Sequence, residues 1–242
     1  GGAGDEVDRL AGTMSGMLDR GEGGYRARQQ FVSDAAHGLR SPLATMRQYA
    51  ELARAHPEAA SPAELSEVVL AEGERMNDIV EGLLLLARLD ENPVTVSTDV
   101  DLDDLALAEV QRVRALGLRS ADGRGIAPAQ ARADPRLIAR AVRNLVDNAV
   151  RHASSTVTIG CRVVDQSALI WVDDDGAGVP VSERERVFER FARLDDARSR
   201  DAGGSGLGLA IVREIAHAHG GSARVEESPS GGARFVLVLP AT

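Results

Sequence analysis

FVSDAAHGLRSPLATM, residues 31–46, is the stretch from which the rest of the chain can be read. On a helix of about 3.6 residues per turn, Leu39, Leu43, Met46, Ala50 and Ala53 fall into one apolar stripe. His37 lies off that stripe. Its neighbours at helical spacing are Ser33, Gln30, Ser41, Ala44 and Gln48, a small and polar face suited to solvent or a visiting protein. Pro42 has no N–H to offer the carbonyl of Gly38 and its ring crowds that carbonyl, so a kink is expected beside the histidine. An imidazole there would be accessible, but an exposed helical histidine is by itself an ordinary solvated residue. Its meaning depends on the rest of the chain.

With 242 residues the chain has room for one or two domains with real cores, and 43% hydrophobic with 27% charged residues reads as soluble and globular. The net charge is −9, and every basic side chain apart from histidine is arginine. No segment supplies the basic patch that a phosphate backbone requires, so nucleic acid is excluded as an expected partner. Cys161, the single cysteine, forbids an internal disulfide and fits a reducing compartment as a small apolar residue. No apolar run approaches the roughly 20 residues that span a bilayer; the longest runs from Leu83 to Ala87.

Asp5 to Gly21 carries Val7, Leu10, Met14, Met17 and Leu18 at helical spacing, and Gly21, Gly23 and Gly24 then interrupt it. The helical pattern resumes near Tyr25 and runs to about Ala55, with turn character over residues 56–60. Ser61-Pro62-Ala63-Glu64 is a helix start, with Ser61 as N-cap and Glu64 closing a capping box. The helix that follows carries Leu65, Val69, Glu72, Met76, Ile79, Leu83 and Leu86, alternately four and three apart, a coiled-coil seam with one polar member. A hairpin of two helices is too thin to bury both seams. Two hairpins paired as a four-helix bundle solve this, so a homodimer is expected.

Asp90-Glu91-Asn92-Pro93 ends that helix. Val94 to Val100 reads as a half-buried strand, Leu102 to Leu116 as a helix, and Gly117 to Ala133 as loop with short strand pieces. Asp134-Pro135 starts another helix, with Leu137, Ile138, Val142, Leu145 and Val146 inward. Apolar, β-branched runs follow at Thr156 to Val164, Ala168 to Val172, Ala223 to Glu226 and Arg234 to Leu239. The expected fold class is α+β: a helical hairpin forming a dimeric four-helix bundle, then an α/β sandwich with helices on one face of a mostly antiparallel sheet. The boundaries drawn are 1–24 for the leading helix, 25–91 for the hairpin and 92–242 for the sandwich.

Four segments of the sandwich hold residues that a core would reject. Asn144, Asn148 and Arg151 share a helix face, offering two amides and a cation to a metal and phosphates, and His152 follows. Asp173, Asp174 and Asp175 end an apolar strand before Gly176 and Gly178; three adjacent carboxylates repel, so at least one should have a task. Phe188 and Phe191 read as core aromatics, followed by Arg193, Arg198 and Arg200 in a polar stretch suited to a phosphate-contacting cover. Gly204, Gly206, Leu207 and Gly208 lead straight into an amphipathic helix, whose first N–H groups favour anions.

FVSDAAHGLRSPL resembles the phosphoacceptor box of sensor histidine kinases, usually F-x-x-x-x-S-H-E-L-R-T-P-L, and further boxes of that family follow in its order. Asn144 to His152 resembles the N box, N-x-x-x-N-A-x-(K/R)-(H/F/Y). Asp174 to Gly178 resembles the G1 box D-x-G-x-G, Phe188 to Phe191 the F box, and Gly204 to Leu209 the G2 box G-x-G-L-G-L. Gly231-Gly232-Ala233 is a weaker G3-like match, with alanine where threonine is usual. Asp5 to Gly21 resembles the second helix of a HAMP linker, though a generic amphipathic helix fits it equally.

The resemblance implies an ATP-binding domain after the bundle and autophosphorylation of His37, with Arg40 and Ser41 beside it in the catalytic box. It implies Mg²⁺ at Asn148, phosphate and base near Arg151 and His152, and the adenine amine on Asp174. Gly176 and Gly178 would admit the base closely; Arg193, Gly204, Gly206, Leu207 and Gly208 would border the nucleotide. The implied cofactors are ATP and Mg²⁺. The implied partners are a second copy of the chain and the receiver domain of a response regulator, whose aspartate takes the phosphoryl group. The implied location is the cytoplasmic portion of an inner- or cell-membrane protein, tethered through a span elsewhere in the full chain.

Gly38 stands where an acidic residue usually follows the histidine, which removes a general base typically worth about 10²- to 10⁴-fold. Ser41 keeps a hydroxyl where the family orients water for phosphatase action. One alternative is therefore a kinase-impaired phosphatase or signalling module. The other is a plain ATPase of the gyrase-like and chaperone types, which begin the N box with a glutamate where this chain has Asn144.

Overall fold

A computed structural model of the chain describes residues 33, 35–36, 38–56, 61–91, 98–192 and 205–242. The expected segments at 5–21 and 57–60, and the first residues of the strand expected at 94–100, lie outside that set. The chain divides into two compact units, Gly1–Met76 and Asn77–Thr242.

The first unit contains helix α1 (38–55) and the beginning of α2 (Pro62–Glu91). The start of α2 is a reciprocal capping box. The Ser61 N–H donates to Glu64 Oε2 at 2.7 Å and the Glu64 N–H to Ser61 Oγ at 3.2 Å, which holds the Glu64 carboxyl below its usual pKa. Glu72, the polar member of the seam, lies 3.6 Å from Arg75. Much apolar surface stays open on this unit: Leu43 is 58% exposed and Leu70 68%.

The second unit begins with the end of α2, where Ile79, Leu83 and Leu86 are buried. Strand β1 (Thr98–Asp101) and helix α3 (Leu102–Leu116) follow. Then come β2 (Ser120–Ile126), β3 (Gln130–Ala133), α4 (Pro135–His152), β4 (Thr156–Val164), β5 (Ser167–Asp174), α5 (Gly208–Ala218), β6 (Ser222–Glu227) and β7 (Ala233–Pro240). Five strands form one sheet in the order β2-β4-β5-β7-β6, antiparallel except for the β2–β4 pair, while β1 and β3 pair separately.

The expected mostly antiparallel sheet is present, but residues 117–133 contain two full strands in place of loop with short pieces. Ser120–Ile126 is polar and carries two glycines, so its own β-propensity is low. Pairing with β4 supplies the order.

On one face of the sheet Val157, Ile159, Cys161, Ile170, Val172, Phe235, Leu237 and Leu239 meet the buried sides of α3, α4 and α5. Asp134 caps α4, accepting from the Arg136 and Leu137 N–H groups at 2.8 and 3.3 Å, and its own N–H donates to His219 Nε2 at 3.1 Å. His219 Nδ1 lies 2.8 Å from the Ile215 carbonyl, so the proton sits on that nitrogen and the imidazole ties the end of α5 to the start of α4. A charged lattice joins α3 to α4: Arg112 pairs with Glu109 and Asp147, both at 2.6 Å, and Arg143 with Glu109 at 3.0 Å.

On the other face Trp171 lies over Gly160 and Gly125, and a Cβ at Gly160 would overlap its ring. The Arg162 and Arg234 guanidinium carbons stand 5.4 and 5.6 Å from the ring centroid.

Candidate functional site

The three carboxylates at the end of β5 separate by partner. Asp173 forms a bidentate pair with Arg234 at 2.6 and 2.7 Å. Asp175 accepts from the Ser155 N–H at 3.0 Å, the Ser155 hydroxyl at 2.6 Å and the Thr156 N–H at 3.1 Å. Led by the Ser155 hydroxyl, these donors hold its carboxyl well below the usual range. Asp174 is buried between them, and its Oδ1 accepts from the Gly176 N–H at 2.9 Å and the Ala233 N–H at 3.2 Å. Both donors converge on one oxygen. Oδ2 is the oxygen that remains to accept an N–H from a ligand.

Two glycines make this arrangement possible. A Cβ at Gly176 would overlap the His152 carbonyl oxygen, and one at Gly232 would overlap Asp174. The loop after β5 therefore rests directly on the end of α4 and on the start of β7. His152 sits at that junction, where desolvation and the neighbouring Arg151 charge push its imidazole pKa down. Asn148 is half-buried one turn earlier on α4, and Arg151 is exposed.

Asn144 faces the start of α5, where its Nδ2 donates to the Gly208 carbonyl at 3.2 Å. That bond ties the N-box helix to the glycine turn. Gly206 takes a left-handed backbone (φ 73°), and a Cβ there would come within 2.8 Å of Phe191 Cα. Phe191, itself at φ 61°, donates its N–H to the Gly206 carbonyl at 2.8 Å. Leu207 is fully buried, and Phe188 packs edge-on against Phe235 with centroids 6.2 Å apart.

The residues that the sequence singles out thus come together from α4, the loop after β5, the Phe188–Phe191 turn and the start of α5. His37, Arg193 and Gly204 lie outside the described residues; Arg40 and Ser41 are exposed on α1. Cys161 is buried with its thiol pKa raised and its Sγ–H donating to the Ala127 carbonyl at 3.1 Å, so it acts as a packed apolar residue. Sequence reasoning missed the anchoring of Asp175 on Ser155. The Ser154-Ser155-Thr156 run between a helix and a strand was the available signal, since such residues bond nearby backbone and carboxylates.

Two family models match the chain: the His Kinase A (phospho-acceptor) domain over residues 27–92, and the histidine kinase-, DNA gyrase B- and HSP90-like ATPase over residues 133–242. The chain belongs to the sensor histidine kinases. Among curated relatives, it is 36% identical to the sensor protein IrlS of Burkholderia pseudomallei, over 98% of this chain and 52% of that protein. It is 38% identical to the sensor-like histidine kinase SenX3 of Mycobacterium tuberculosis, over 89% of this chain and 54% of that protein. The chain spans about half the length of these relatives. Among solved sensor histidine kinases, the mycobacterial MprB matches with a TM-score of 0.53 at 32% identity, covering 60% of this chain and 98% of that one. AdeS of Acinetobacter baumannii, at 19% identity and a TM-score of 0.63 over 84% of this chain and 97% of that one, shares the fold.

Proposed function

We propose that this chain is the catalytic part of a sensor histidine kinase that uses Mg·ATP to phosphorylate His37 and then passes the phosphoryl group to an aspartate on the receiver domain of a response regulator. The observation that supports this most is Asp174, buried, with one oxygen held by two backbone N–H groups and the other left for the exocyclic amine of adenine. Gly176 and Gly232 fit the same role, since side chains there would fill the space beside that carboxylate.

Arg151 and His152 border the base and phosphates, and the start of α5 after Gly206 offers N–H groups to the phosphate chain. Asn148, half-buried on α4, would hold Mg²⁺ through its amide oxygen; no cluster of three His, Cys, Asp or Glu suited to a metal occurs among the described residues. Bound there, Mg²⁺ neutralises phosphate charge. The neutral imidazole of His37 attacks the γ-phosphorus in line, the bond to the ADP oxygen breaks, and the proton on the other ring nitrogen is released.

Two copies pair through α1 and α2. The open apolar faces at Leu43, Tyr49, Leu52, Val69 and Leu70 support this bundle. No helix among the described residues is long and apolar enough to cross a membrane. The sensing and membrane-spanning parts belong to the rest of the full protein, which leaves this part on the cytoplasmic side.

Gly38 favours one second reading, in which autophosphorylation is slow and phosphatase action through Ser41 dominates. Incubation with γ-labelled ATP and Mg²⁺ tests both. Acid-labile, alkali-stable label that disappears in His37→Gln is expected of the kinase. Free phosphate with unlabelled protein would indicate a plain ATPase and sink the proposal. Labelling that rises tenfold or more in Gly38→Glu would show that the glycine limits the rate.

A further inference from the structure

Asp174 owes its aim to two backbone donors of unequal footing. The Ala233 N–H belongs to β7, where Ala233 is paired with Glu227 in the ladder. The Gly176 N–H lies past the end of β5, outside any ladder. Its neighbour in the chain holds it instead. The Asp175 carboxylate accepts from the Ser155 N–H, the Ser155 hydroxyl and the Thr156 N–H, all in the turn between α4 and β4. That turn is itself tied down: the Ala153 carbonyl accepts from Arg119 Nε at 2.9 Å, and the Ser120 N–H donates to the Ser155 carbonyl at 2.9 Å. Gly176 also stands against the His152 carbonyl, with no room for a Cβ. It is thus pinned between an anchored turn and the end of α4, with its N–H on Asp174 Oδ1.

We infer that Asp175, anchored on Ser155, is a positioning residue that sets the direction of the Asp174 carboxylate and so determines the preference for a base carrying an exocyclic amine. The inference rests on the nucleotide-site reading above. Asp174 Oδ2 attracts an amine N–H and repels a carbonyl oxygen, and that contrast depends on where the oxygen points. Without the Asp175 clasp the loop is released, Asp174 loses one of the two donors that orient it, and the contrast fades. Asp175 acts through Gly176 and Asp174, and water can replace part of its exposed bonding, so its removal costs less than removal of Asp174 itself.

The test is calorimetric titration of the purified chain with ADP and with inosine diphosphate, both with Mg²⁺; the inosine base has a carbonyl where adenine has its amine. The parent should prefer ADP by about tenfold or more. Asp175→Ala should cut that preference about three- to fivefold, through weaker ADP binding with inosine diphosphate held within about twofold of the parent. Ser155→Ala, which removes only the hydroxyl bond of 2.6 Å, should cut it about twofold. Asp175→Asn keeps an oxygen for the Ser155 and Thr156 N–H groups and offers an NH₂ to the Ser155 oxygen, so it should retain the parent's preference. A merely structural part for Asp175 would weaken both nucleotides in proportion. An unchanged ratio in Asp175→Ala, or in Ser155→Ala should Asp175→Ala fail to fold, would therefore overturn the inference alone, as would equal losses of preference in Asp175→Asn and Asp175→Ala. A parent that binds neither nucleotide, or both equally, would remove the nucleotide-site reading, and this inference with it.

Discussion

Asp173, Asp174 and Asp175 are adjacent in sequence yet answer to three different partners: a guanidinium on β7, backbone donors around the loop, and the serine ahead of β4. This division relieves the repulsion expected of three neighbouring acids. In Asp174→Asn the amide oxygen must still serve the Gly176 and Ala233 N–H groups, so its NH₂ would point where a ligand amine has to donate. Loss of a hydrogen bond of this kind costs about 1.5–3 kcal/mol, so ATP-analogue affinity measured by calorimetry should fall by about one to two decades with the fold intact. His152 makes a prediction in pH. Its folded pKa lies below the unfolded value of about 6.5, so on acidification the unfolded chain takes up the proton first. The contribution of His152 to stability should be flat above about pH 6.5 and decline as the pH falls toward the folded pKa; the difference between urea melts of the parent and of His152→Gln, followed between about pH 5 and 7.5, should show this slope. At this scale the motif residues were legible and their ties were not. Asp174 stands out because acids and glycines end an apolar strand, but the Asn144–Gly208 bond spans 64 residues and the Asp175–Ser155 bond spans 20, which no local pattern reveals.

Elements were legible where a local signal and a tertiary need agree. The Ser61–Glu64 box reads from four letters because both of its bonds lie within one turn. Ser61→Ala should cost about 1 kcal/mol, seen as a lower melting temperature of the helical hairpin. Strand β2 was not legible. Its glycines and polar residues argue for loop, and what makes it a strand is a parallel edge of β4 and a ring that requires Gly125 opposite Gly160. That ring supplies the next prediction: in Gly160→Ala the added methyl overlaps Trp171 and lies 2.9 Å from the Gly125 carbonyl oxygen. Overpacking of this kind costs about 1–3 kcal/mol, and thermal melting should show it as a loss confined to the domain built on the sheet.

For the molecule as a whole, the fold class was legible from hydrophobic period, since a helical seam spaced four and three gives way to β-branched runs that form a sheet. What composition could not give is which part of α2 belongs with which body, because the helix is continuous across Met76–Asn77 while the compact units are not. Leu70 is 68% exposed within one chain, so Leu70→Glu leaves a single chain's packing nearly untouched; sedimentation should nevertheless show a dimer turning into a monomer. Trp171 has a practical consequence. It is the one tryptophan among 242 residues, and it shares Arg234 with Asp173, the neighbour of Asp174. The protein therefore carries its own optical gauge: ultraviolet emission from that single indole, excited selectively over the two tyrosines, can follow events at the end of β5 in unlabelled material, and it reports from one known address in each chain.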